Sequence, residues 1–189
     1  MLRELVERNR SYRRFDESRK IGEDLLRELV DLARMAPSRA NLQPLKYILS
    51  FKPETNDLIF PHLAWAGYLK DWPGPGKGER PAAYIVILRD TVISTAELCD
   101  HGIAAQTILL GAAERGLGGV MMDNIDRDLL LKALKVPSHL KILLVLALGK
   151  PVEDVRMDPV GADGDMKYWR DEEGVHHVPK RSLEEIIVK

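Results

Sequence analysis

Asp100-His101-Gly102-Ile103-Ala104-Ala105-Gln106-Thr107-Ile108-Leu109-Leu110-Gly111-Ala112-Ala113-Glu114-Arg115-Gly116 is apolar or small almost all the way round. A helix without a broad polar face must be covered on every side, and a chain of 189 residues has few elements to spare for that. The small residues Gly102, Ala104, Ala105, Gly111, Ala112 and Ala113 let another backbone approach closely. The stretch predicts a central helix and a homodimer built around it.

Around this helix, Ala82 to Leu88 and Ile142 to Leu148 are nearly continuous apolar runs and read as buried strands, the second ending at Gly149-Lys150-Pro151. Leu45 to Phe51 reads as a third strand. An apolar stripe predicts a helix from Gly22 or Glu23 to Met35, stopped by Pro37, and another runs from Asp126 to Lys135 before Pro137. The expected class is α+β, in one domain spanning residues 1–189 without internal repeats. Gly116-Leu117-Gly118-Gly119 follows a helix rather than a strand, so it reads as a helix cap leading to a turn and not as a dinucleotide loop. From about Val152 the chain shows little core potential until Leu183 to Val188, and a tail of that kind docks on something already folded.

The formal net charge of −1 argues against general nucleic-acid binding, which needs a basic field. No apolar run is long enough to span a bilayer, and the single cysteine, Cys99, rules out an intrachain disulfide, so a cytoplasmic protein is expected. Within this near-neutral chain, Asn9-Arg10-Ser11-Tyr12-Arg13-Arg14-Phe15 places three arginines and a serine where a short amphipathic helix ends. Guanidinium forks suit phosphate oxygens, and a nucleotide cofactor matches the local scale of the cluster. The competing reading is that the arginines only offset the negative end of the preceding helix dipole.

No serine lies in a Gly-x-Ser-x-Gly elbow, and His101, His176, His177, Cys99 and Asp100 lack zinc spacing, so neither a catalytic side chain nor a metal is assigned. An enzyme of this composition relies on a bound cofactor. Between the first two strands, residues 52–81 read as a short helix and a mobile loop carrying Trp65, Tyr68 and Trp72. Trp65 and Tyr68 are candidates for lining a substrate pocket, although their spacing equally suits the packed face of a helix, the favoured reading for Trp65.

Ala36-Pro37-Ser38-Arg39-Ala40-Asn41-Leu42-Gln43-Pro44 is a helix exit whose prolines fix the path while polar side chains are presented. Taken with Arg10 to Phe15, Asp100-x-Gly102-x-Ala104-x-Gln106, Gly116-Leu117-Gly118, Gly149-x-Pro151 and Val178-Pro179-Lys180-Arg181-Ser182-Leu183-Glu184-Glu185, it resembles the nitroreductase family of FMN-dependent NAD(P)H oxidoreductases from end to end. The resemblance implies a mostly antiparallel central sheet flanked by helices, with the C-terminal tail docking on the partner subunit. It implies that Arg10, Ser11 and Arg13 hold the FMN phosphate and the polar edge of the flavin, with Lys180 or Arg181 closing over the phosphate. Pro37, Ser38, Arg39 and Asn41 would come from the other subunit, and Met121, Met122, Asp123 and Asn124 match a stretch whose backbone N–H groups face the flavin. NADH or NADPH is the implied donor, and a quinone, nitroaromatic or similar small molecule the acceptor. Asn9, Leu45 and Met121 to Asn124 depart from the usual pattern, and a flavin-binding or flavin-processing protein without general reductase activity is the alternative.

Overall fold

The computed structural model describes residues 1–96 and 99–188. The elements run α1 (Leu2–Arg8), β1 (Phe15–Asp16), α2 (Glu23–Met35), β2 (Leu45–Ser50), α3 (Pro53–Ile59), β3 (Ala83–Asp90), α4 (Asp100–Glu114), β4 (Gly118–Met122), α5 (Arg127–Ala133), β5 (Leu140–Pro151), β6 (Val155–Pro159), β7 (Trp169–Arg170), β8 (His176–Lys180) and α6 (Leu183–Ile186). Among the described residues no helix is long and apolar enough to cross a membrane.

β5 is the axis of an all-antiparallel five-stranded sheet. One of its edges pairs with β3, which in turn pairs with β2, the other pairs with β4, and the short β1 pairs with the end of β5 at Lys150 and Pro151. Both apolar runs are buried on two faces. Ile85, Ile87, Leu146 and Leu148 pack against α2 and α4, whereas Tyr84, Val86, Val145 and Ala147 pack on the opposite side against Ile59, Leu63, Val120 and Leu130. The continuous hydrophobicity of these strands is thus a consequence of helices on both sides of the sheet, and each fully buried Leu or Ile contributes about 1.5–3 kcal/mol.

α4 lies close against α2, and Gly111 permits it: a Cβ there would stand 2.6 Å from Leu32 Cδ1. The chain buries Ala104, Ala105, Ile108, Leu109, Ala112 and Ala113 but leaves Gly102 and Ile103 exposed and Gln106, Thr107 and Leu110 half-buried along one stripe. One face of the apolar helix is therefore uncovered in the single chain.

Two sequence expectations need correction. Gly118 and Gly119 do not prolong a turn: after Gly116, at φ +70°, they open strand β4, because β5 offers a vacant edge that glycine can approach. The tail is not coreless. Residues 155–180 form a small sheet, β6 parallel to β8 and β7 antiparallel to it, in which Val175 and His176 are buried. Leu183, Ile186, Ile187 and Val188 are exposed on the single chain.

Candidate functional site

The arginine segment is laid along the outer edge of β4. The Tyr12 N–H donates to the Gly119 carbonyl at 3.1 Å, and strand alternation turns the backbone of Met121 toward the same edge. Gly118 is required here, since a Cβ would lie 2.4 Å from the Tyr12 ring. The arginines then divide. Arg8 donates to the Ala113 carbonyl at the C-terminus of α4, and Arg10 Nη2 donates to Val6 O at 2.6 Å, so the helix-dipole reading describes part of their work. Arg14 forks onto Glu79. Arg10 Nε is nevertheless buried without a partner, and the Ser11 side chain beside it is exposed.

Arg13 is enclosed by the tail. Its guanidinium stands 4.8 Å over the Tyr168 ring, and Nη1 reaches Ser11 O at 3.1 Å and His176 Nε2 at 3.3 Å. Burial lowers its pKa from the usual arginine value, opposed by Tyr168 and Glu153, yet an arginine stays charged. His176, 1% exposed, is pushed down to about 4, first by burial and then by Arg13 and Arg170. It is therefore neutral near pH 7, accepts through Nε2, and keeps Nδ1 buried without a partner. The Tyr168 ring also packs, tilted, 4.9 Å from the Tyr68 ring, and the Tyr68 N–H donates to the Tyr168 hydroxyl at 3.4 Å.

Glu153 anchors this region from below. Its carboxylate, 1% exposed, accepts from the N–H groups of Arg13 and Arg14, the latter at 3.1 Å, and from Arg170 Nη2 at 3.0 Å. Phe15 N–H in turn donates to Glu79 O at 3.0 Å. Every backbone N–H from Tyr12 to Phe15 is thus engaged within the chain.

The second polar group lies at the far end of α4. Ser38 Oγ donates to Asp100 Oδ2 at 2.7 Å, the Arg39 N–H donates to Oδ1 at 3.2 Å, and the Gln43 N–H donates back to Ser38 Oγ at 3.0 Å. Ala40, Asn41 and Gln43 all have positive φ near 50°, which these bonds hold in place. The loop walls a cavity of about 140 Å³ with Ala36, Pro37, Tyr47 and Ala104, where burial and the Asp100 charge raise the Tyr47 pKa to about 12. The Arg39 and Asn41 side chains are exposed. Arg8 bonds residue 113 of α4 and this loop bonds residue 100, attachment points about 20 Å apart along the helix at 1.5 Å per residue.

Other predicted residues are scattered. Lys180 pairs with Pro159, four strand residues or about 13 Å beyond His176, and Arg181 is ion-paired with Glu185, so neither closes on Arg10 to Arg13 within the chain. Met121 is exposed, Met122 is core, Asp123 pairs with Arg127, and the Asn124 carbonyl accepts from Ala64 N–H. Trp65, Tyr68 and Trp72 follow α3 in turns rather than sharing a helical face. Trp65 packs on Phe60 at 5.8 Å, Tyr68 is exposed and in tilted contact with Tyr168, and Trp72 lies under Arg170 at 4.9 Å. Sequence reading missed Glu153 and Tyr168. Each is an isolated residue in a charged tail, with no spacing signal to mark it.

An anion fits the first group through side chains: Arg10 keeps a buried, unpartnered N–H, Ser11 a hydroxyl with no partner among the described residues, and Arg13 a charge that forms no ion pair among them.

The family model described as the nitroreductase family matches residues 6–150. A protein provisionally named NADH dehydrogenase/NAD(P)H nitroreductase from Methanothermobacter thermautotrophicus is 26% identical over 159 residues, 80% of this chain and 78% of that one. The crystal structure of a nitroreductase family protein from Clostridium novyi NT is 20% identical with a TM-score of 0.66 and covers 99% of both chains. A nitroreductase from Exiguobacterium sibiricum, solved in complex with FMN, is 17% identical with a TM-score of 0.66, over 81% of this chain and 89% of that one.

Proposed function

The chain belongs to the nitroreductase family, and on that premise we propose that it is an FMN-dependent NAD(P)H oxidoreductase acting as a homodimer on a small-molecule acceptor such as a quinone or nitroaromatic. The observation that carries this reading is the buried, unpartnered Arg10 Nε beside Ser11, on a segment held along the edge of β4. The names of the relatives support the donor and cofactor: one is an NAD(P)H nitroreductase and another was crystallised with FMN.

In this reading Arg10 and Ser11 hold the phosphate, Arg13 supplies positive charge at the polar edge of the flavin, and the edge N–H of Met121 orients its central ring. The FMN that Arg10, Ser11 and Arg13 would hold would supply hydride transfer between the nicotinamide and the acceptor. The Pro37, Ser38, Arg39 and Asn41 loop serves the site of a second copy, a reading supported by its attachment to the opposite end of α4 from Arg8. The uncovered stripe of α4 at Gly102, Ile103, Gln106 and Thr107 provides the contact for that copy. Lys180 and Arg181 reach a phosphate only across the same interface, and Tyr68 with Trp65 borders the acceptor. Donor and acceptor use one pocket in turn, so kinetics are ping-pong.

Mixing protein, FMN and NADH or NADPH anaerobically tests this directly. Rapid bleaching of the flavin is expected. A stable yellow colour would instead support a flavin carrier, and a protein that fails to take up FMN would end the reading.

A further inference from the structure

Successive backbone N–H groups that converge on one point form a concavity for an anion, and such nests commonly hold phosphate. Arg13 and Arg14 form one here, but it is filled from within: Glu153 Oε1 accepts from both N–H groups while Oε2 takes Arg170. Glu153 follows the end of β5, and the Val152 N–H donates to Arg14 O at 3.1 Å, so the contact is continuous with the main sheet rather than a loose tail contact. The family match ends at residue 150, just before it.

We propose that Glu153 is a positioning residue of the cofactor site: it fixes the Arg13–Arg14 backbone and, by filling the N–H groups there, leaves phosphate recognition to the side chains of Arg10 and Ser11. The inference rests on the FMN reading above. A carboxylate in this place does two things at once. It satisfies two buried donors, which holds Arg13 over Tyr168 and keeps Ser11 on the edge of β4. It also places negative charge beside Arg13, which opposes further negative charge on a neighbouring group and so holds down the reduction potential of bound flavin.

FMN titration and the midpoint potential of bound FMN, measured on the full chain well below its melting temperature, test the proposal with Glu153→Ala, Glu153→Gln and Arg170→Gln. Glu153→Ala is expected to weaken FMN binding about tenfold or more. Glu153→Gln retains an oxygen acceptor, so it recovers most of the affinity while raising the potential. Arg170→Gln loosens the tail and lowers thermal stability but keeps affinity within about threefold, because the two N–H bonds survive. Should Glu153→Ala fail to fold, the potential and affinity of Glu153→Gln decide alone. Wild-type binding with Glu153→Ala equally tight, or an unchanged potential in Glu153→Gln, overturns the proposal. A wild-type protein that binds no FMN overturns the functional reading and this inference together.

Discussion

Ser38 donates to Asp100 at 2.7 Å across 62 residues of sequence, tying the loop after α2 to the first turn of α4. The carboxylate also accepts the Arg39 N–H and sits at the positive end of the helix dipole, so one side chain fixes a loop with three positive φ angles. Asp100→Ala should cost about 1–3 kcal/mol in urea unfolding and loosen FMN binding, with Asp100→Asn falling between the two. Unaltered stability in the alanine variant would contradict this account of the loop.

The separation of the two polar groups along α4 predicts complementation. Arg10→Ala and Asn41→Ala proteins should each bind FMN poorly as homodimers. Co-expressed, they form mixed dimers in which one site carries both defects and the other neither, so about half of the mixed-dimer sites should regain flavin. Absorbance at the flavin band against protein concentration reads this. No recovery on mixing would mean that both groups serve one chain's own site.

The tail sheet should respond to pH in two directions. His177 lies with Nδ1 2.6 Å from Asp158 and Nε2 3.1 Å from Asp171, stacked on Trp169, and both nitrogens donate only when the ring is protonated. Its pKa is raised above the ordinary 6.5, by Asp171 first and Asp158 next, so this stabilisation is complete below 6.5 and lost as pH rises through the folded-state value. His176 has the opposite sign. The unfolded chain protonates it near 6.5 but the folded protein only at about 4, so stability falls as pH drops between those values. Protection factors for amide exchange in residues 155–180, taken relative to the intrinsic rate at each pH, should be highest near neutrality, and His177→Gln should abolish only the high-pH loss. Protection that stays flat from about pH 4 to 9 would refute the assignment.

Gly149 faces Phe15, which is fully buried: a Cβ at 149 would stand 2.7 Å from the ring. Gly149→Ala must displace Phe15 or β1, at a cost of about 1–3 kcal/mol in thermal or urea unfolding. By contrast Gly102→Ala meets nothing within 4 Å in the single chain. If α4 contacts a second copy there, that variant should weaken dimers in sedimentation while the monomer stays folded.

β3, β5, α2 and α4 were legible from the residues because burial on both faces, or on one stripe, leaves a periodic record in the chain. The small residues of α4 read as room for a second subunit, and within the chain Gly111 makes room for Leu32 of α2 instead. β4 left no such record: Gly118 and Gly119 look like a turn until Tyr12 and β5 are seen to need the room. Arg10 to Phe15 announced an affinity for anions but not which anion.

Local composition alone set the helices, the central strands and the positive charge at the N-terminal segment, since each depends on neighbours within a few positions. Only tertiary structure decided that Glu153 fills the N–H groups of Arg13 and Arg14, that Tyr168 covers Arg13, and that Ser38 and Arg8 are tied to opposite ends of α4. Those relationships join residues up to 155 positions apart, and a single carboxylate or aromatic in a polar tail acquires its role only from what the fold sets against it.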